Sequence, residues 1–159
     1  CVDDIGKVVN PVIVEGQVHG GLAQGIAQAL YEEAVYDEAG NLVTGSMVDY
    51  LVPSAVDLPH FHTGRSETPA TSNPLGVKGV GEAGTIASTP AVMNAIVDAL
   101  RPWGVNDVLM PATPERVWRH LHGDDGTPRQ PTGTVAYGGA QTNATAGAAS
   151  STGLPGGGA

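Results

Sequence analysis

The sequence predicts an α+β fold in which helices pack on short mixed strands. Three observations carry this. Residues 11–35 hold apolar groups at Val14, Val18, Leu22, Ile26 and Leu30, four apart, a helical spacing. Two later segments begin with the same Thr-Pro pair, Thr89-Pro90 and Thr113-Pro114, which reads as a cap followed by a first-turn proline. Between and before these helices lie short runs rich in β-branched and aromatic residues, one pair of them split by Gly40-Asn41.

In chain order, residues 2–9, "VDDIGKVV", read as a short strand interrupted by Gly6 and ended by Asn10-Pro11. Residues 11–35 follow as a long helix with Pro11 in its first turn. Gly16, Gly20, Gly21 and Gly25 lie inside it. Each costs about 1 kcal/mol of helix propensity relative to alanine. That cost is explained if another backbone or a ligand approaches closely, and helix packing and ligand contact explain it equally well. Residues 35–52 read as a hairpin about Gly40-Asn41. Residues 53–75, rich in Pro, Ser and Thr, form an extended loop held by other structure.

A second helix is predicted over 89–100, with Val92, Ala95, Ile96, Ala99 and Leu100 as its apolar stripe. A third starts at Thr113, and its Trp118 and Leu121 read as core residues. Residues 123–159 are predicted to be a disordered tail. Residues 132–159 carry no charge and few large apolar groups, so they bury too little to offset chain entropy. The ordered unit is expected to be 1–122.

Composition limits the function. The net charge is −9, which disfavours nucleic acid and anionic membrane surfaces as partners. The one cysteine, Cys1, excludes an internal disulfide and a cysteine metal cluster and fits a reducing, cytoplasmic setting. No apolar run reaches membrane-spanning length. The first residues read as the middle of a strand, so the expectation is that the true N-terminus is missing or that the chain is one part of a larger assembly.

The segment "NPLGVKGVGEAGTIASTPAV", residues 73–92, carries the chemistry. Gly76, Gly79 and Gly81 expose backbone and admit a bulky group. The order of a phosphate-binding loop is not present. A flat or phosphorylated ligand against "GVKGVGE" is one reading, and a tight loop-to-helix turn is the other. Glu82 stands alone among small apolar residues. A carboxylate in an apolar cleft can act as a base near neutral pH. A glutamate at a helix N-terminus, stabilised by the helix dipole, is the alternative.

This segment resembles the catalytic signature of the molybdenum hydroxylases, the xanthine oxidase family, and in particular the large subunit of aerobic carbon monoxide dehydrogenases. "DDIGKVVNPVIVEGQVHGGLAQGIAQALYEE" and "MPATPERVW" resemble two further segments of the same subunits, in the same order. The resemblance implies that Glu82 is the active-site base beside molybdenum. It implies that Gly79, Val80 and Gly81 line the cofactor with backbone and that Gln17 approaches its pterin. The implied cofactor is a molybdenum–pterin in its cytosine dinucleotide form, with iron–sulfur clusters and FAD on partner subunits or domains. Implied partners are the remainder of the large subunit and a small-molecule substrate. Cys1 does not fit the family's active-site loop and is assigned no metal. A non-catalytic structural or assembly fragment is the competing reading. A generic ligand-binding module accounts for the glycines but not for three matching segments in order.

Overall fold

The computed structural model describes residues 1–123 and 126–132. Three helices dominate it: α1 (Pro11–Leu30), α2 (Thr85–Leu100) and α3 (Pro114–Leu121). Short 3₁₀ turns occupy Ala55–Asp57 and Arg101–Trp103. Among the described residues β structure is confined to isolated antiparallel bridges, Gly6 with Val77, Tyr36 with Leu42 and His122 with Pro128. The helical half of the expected α+β fold is therefore present, while its strands shrink to single bridges.

Each helix start has a local cause. Asn10 caps α1, its side-chain oxygen accepting from the Val12 and Ile13 N–H groups at 3.1 Å each. Thr113 caps α3 by accepting from the Arg116 N–H at 3.3 Å. The helix expected over 11–35 stops at Leu30, where the Tyr31 and Glu32 N–H groups both converge on the Ala27 carbonyl. The next residues serve other elements. Tyr50 donates to Glu32 at 3.1 Å, and Arg116 pairs with Glu33. The hairpin expected over 35–52 is real only at its tip, 35–43, where Val43 donates to Val35 and Asp37 fastens Asn41. The expected strand over 2–9 is extended chain pinned at Gly6 and makes no ladder.

The second helix begins at Thr85, not at Thr89-Pro90, and Pro90 lies inside it. The reason is the crossing with α1. Thr85 Oγ1 donates to the Gly21 carbonyl at 3.0 Å, and Thr89 Oγ1 donates to the Gly25 carbonyl at 3.2 Å. Two hydroxyls four residues apart thus meet two glycine carbonyls four residues apart. A Cβ on Gly21 would stand 2.1 Å from the Ala83 oxygen, and one on Gly25 would stand 1.9 Å from Ser88 Oγ. Thr89 is spent on this contact and caps nothing.

The core lies at the other end of α2. Leu100, Val105, Val108 and Ala112 are buried, with Leu30, Met93, Ile96, Val97, Trp103, Val117 and Leu121 packed around them. Leu121 is placed as expected. Trp118 is not a core residue: it is half exposed and stacks on the His122 ring at 4.1 Å between centroids. From 123 on, most of the expected tail lies outside the described residues. The described part pairs back, however. Arg129 donates to Leu121, and Thr132 donates to Pro102 through its N–H and its hydroxyl. The hydrogen-bonded chain therefore does not stop at residue 122.

Much apolar surface is left open. Val2 (95%), Val56 (92%) and Val48 (88%) are almost fully exposed, and Val12, Met47 and Leu109 are largely so. A domain with its own complete core rarely leaves so many large apolar groups in water. No helix of the described residues is long and apolar enough to cross a membrane.

Candidate active site

The N-terminal segment is stitched to residues 76–84. Lys7 donates to the Gly76 carbonyl at 2.9 Å, and Lys78 donates to the Ile5 carbonyl at 3.0 Å. Gly6 sits between them with φ +65°, and a Cβ there would stand 2.3 Å from the Gly76 oxygen. Asp4 collects the ends. Its carboxylate accepts from Lys78 Nζ at 2.9 Å and from the Gly6 and Thr68 N–H groups. The Lys78 ammonium first, then these amides, hold its pKa well below the usual carboxylate range.

Glu82 emerges from this scaffold. The turn that carries it is closed by the Ala83 N–H donating to the Val80 carbonyl at 3.1 Å. Gly84, with φ +85°, is the N-cap of α2, so Glu82 lies three positions before the first helical residue, Thr85, and does not occupy the first turn. The dipole-stabilised helical glutamate is thus not what the geometry gives. Glu82 is exposed, and its carboxylate makes no hydrogen bond or ion pair among the described residues.

Gly79, Gly81, Glu82, Ala83 and Ile86 line a cleft of about 420 Å³ together with Asp3, Asp4 and Ile5. Among the described residues nothing lies within 4 Å of where a Cβ on Gly79 or Gly81 would stand. The N–H groups of these two glycines make no hydrogen bond among the described residues. Free donors, missing side chains and open space on one side fit the approach of a broad, hydrogen-bond-accepting group. Val80 turns away, lining an adjacent cleft of about 250 Å³ with Ile13, Val14 and Val77. Gln17 is exposed on α1, one turn before Gly21, and lines neither cleft. Of the five residues singled out in the sequence, three therefore meet at one cleft, Val80 lines the adjacent one, and Gln17 lines neither.

A strap crosses α1 nearby. Glu15 accepts from Thr63 Oγ1 at 2.8 Å and from Arg65 at 3.1 Å, and these two bonds lower its pKa. His19 of α1 packs against Phe61 with 5.7 Å between ring centroids. Its Nε2 is buried without a hydrogen bond, with Glu15 Oε1 at 3.7 Å. Sequence reasoning missed Asp3 and Asp4. No local pattern marks them, because their partners Thr68, Lys78 and Gly84 lie 64, 74 and 81 positions on.

Residues 1–59 match the molybdopterin cofactor-binding domain family. The chain is 48% identical over 122 residues to the nicotine 6-hydroxylase large subunit of Paenarthrobacter nicotinovorans, covering 77% of this chain and 15% of that one. It is 42% identical over 121 residues to the carbon monoxide dehydrogenase large chain of Hydrogenophaga pseudoflava, covering 76% and 15%. The solved carbon monoxide dehydrogenase from Oligotropha carboxidovorans superposes with a TM-score of 0.71 at 40% identity, covering 74% of this chain and 15% of that one. The chain thus spans about 15% of the length of the relatives it matches.

Proposed function

From the membership of this chain in the molybdenum hydroxylase (xanthine oxidase) family, we propose that it is the C-terminal catalytic segment of a large subunit, with Glu82 as the active-site base. The observation that carries this reading is the unpartnered Glu82 carboxylate, which directly follows Gly79-Val80-Gly81 and lines one open cleft with the two glycines, whose Cβ positions meet nothing within 4 Å among the described residues. Gly79 and Gly81 would hold one side of a molybdenum–pterin cofactor, in its cytosine dinucleotide form, through backbone N–H groups. Val80 would contribute backbone to the same wall, and Gln17 would approach the pterin from α1. When bound, that cofactor supplies the two-electron oxidation and oxygen transfer to an electron-poor carbon of a small molecule: an aldehyde, a heterocycle or carbon monoxide.

The chain's own part is positional and protonic. The glycine arm excludes side chains from the face where the cofactor lies. Glu82 Oε takes up the proton released as oxygen is transferred and gives it back to solvent through the cleft mouth. The remaining walls come from the rest of the large subunit, which also covers the exposed apolar residues. Its partners would be iron–sulfur and FAD subunits of a cytoplasmic complex. By itself this segment forms one wall and holds no complete cofactor.

The test is Glu82→Gln in the complete enzyme. Turnover is expected to fall by about 100- to 10,000-fold, the usual worth of a positioned base, with molybdenum content unchanged. Near wild-type turnover in a molybdenum-replete Glu82→Gln enzyme would overturn the assignment.

A further inference from the structure

We infer that Asp3 is a positioning residue that aims Glu82, an inference that rests on Glu82 being the base. The need for such a residue comes from Gly84. As the N-cap of α2 it has φ +85°, and a Cβ on it would stand 2.8 Å from the Val18 oxygen. Only glycine fits there, so α2 cannot carry the acceptor side chain that Asn10 gives α1 and Thr113 gives α3. Asp3 supplies an acceptor from 81 residues away: its Oδ2 receives the Gly84 N–H at 3.0 Å. The Cys1 thiol also donates to that oxygen at 2.9 Å.

This bond fixes the turn that bears Glu82. On one side of Glu82 the chain is held at Lys78 by Asp4 and by the Ile5 carbonyl. On the other side it is held at Gly84 by Asp3. Glu82 has no partner of its own among the described residues, so its direction is set by how the chain is held on either side, by these two anchors together with the Ala83–Val80 turn. Both anchors belong to one short segment, and Asp3 itself lines the cleft that Glu82 faces. Misplacing a catalytic group by about 1 Å can cost on the order of 100-fold in rate.

Asp3→Ala and Asp3→Asn, measured in the complete enzyme beside Glu82→Gln, test this. Asp3→Ala should lower kcat about 10- to 100-fold while KM and molybdenum content stay as in the wild type. Deuterium uptake by the peptide containing Gly84 should quicken in the same variant. Asp3→Asn keeps an acceptor oxygen and should restore both slow exchange and most of kcat. Three results would overturn the inference: full activity in Asp3→Ala, loss of molybdenum in proportion to activity, or an Asn variant as slow as the Ala one, which would assign the effect to charge. If Glu82→Gln is itself active, the base assignment falls. If Glu82→Gln is inactive while Asp3→Ala is normal, only the positioning role falls.

Discussion

The α1–α2 crossing and the arm 79–82 are both built from glycine, but the two places spend it differently. At the crossing, Gly21 and Gly25 are buried, and any Cβ would collide with Ala83 or Ser88. The missing side chains are answered within the chain by Thr85 and Thr89 hydroxyls on the bared carbonyls. At the arm, Gly79 and Gly81 are exposed, and their absent side chains are answered by nothing within 4 Å. Glycine costs chain entropy wherever it is ordered. At the crossing, close helix packing offsets that cost. At the arm, the compensation has to come from outside the described residues, and it is here that the lone carboxylate stands.

The crossing is the place to break first. Gly25→Val would drive a branched side chain into Ser88 and Thr89 and part the helices. Overpacking of this kind costs typically 1–3 kcal/mol, and the loss of two hydroxyl–carbonyl bonds adds to it. Thermal melting of the complete enzyme should show a marked drop, or the variant should fail to accumulate. An unchanged melting temperature would mean that the helices do not meet as closely as described.

The smallest effect sharpens the contrast on α1 itself. Gly16 shares its helix with Gly25 but has no atom within 4 Å of its Cβ position. In the isolated chain, Gly16→Ala should therefore raise helicity by the propensity difference, about 1 kcal/mol or less. Circular dichroism of the two chains side by side checks this. A loss of helicity on Gly16→Ala would show that Gly16, like Gly25, is closed in.

How far this was legible in the sequence follows the same division. Thr113-Pro114 declared α3 correctly because its cap is local: hydroxyl and amide lie three residues apart. The identical Thr89-Pro90 pair misled, because Thr89 is claimed by a carbonyl on another helix, and no local pattern carries that. Glycines at 21 and 25 signalled close approach, but the sequence did not say to what. Trp118 read as core by size and spacing, yet it lies over His122 at the surface. Glu82 was conspicuous because it is alone. Asp3, whose oxygen holds the start of α2, was read as one residue of a strand, since its partner lies 81 positions on.

The account turns on the open glycines of the arm being space reserved for a molybdenum-bearing group. Metal analysis of the purified Gly81→Val enzyme tests that most directly. No atom of the described residues lies within 4 Å of the Gly81 Cβ position, so the subunit should fold and assemble with near wild-type melting. A branched side chain would then stand in the cleft beside Glu82, and molybdenum per subunit should fall well below the wild-type content. A Gly81→Val enzyme with full molybdenum occupancy and full turnover would contradict the account, because Gly81 would then be no more than a turn residue.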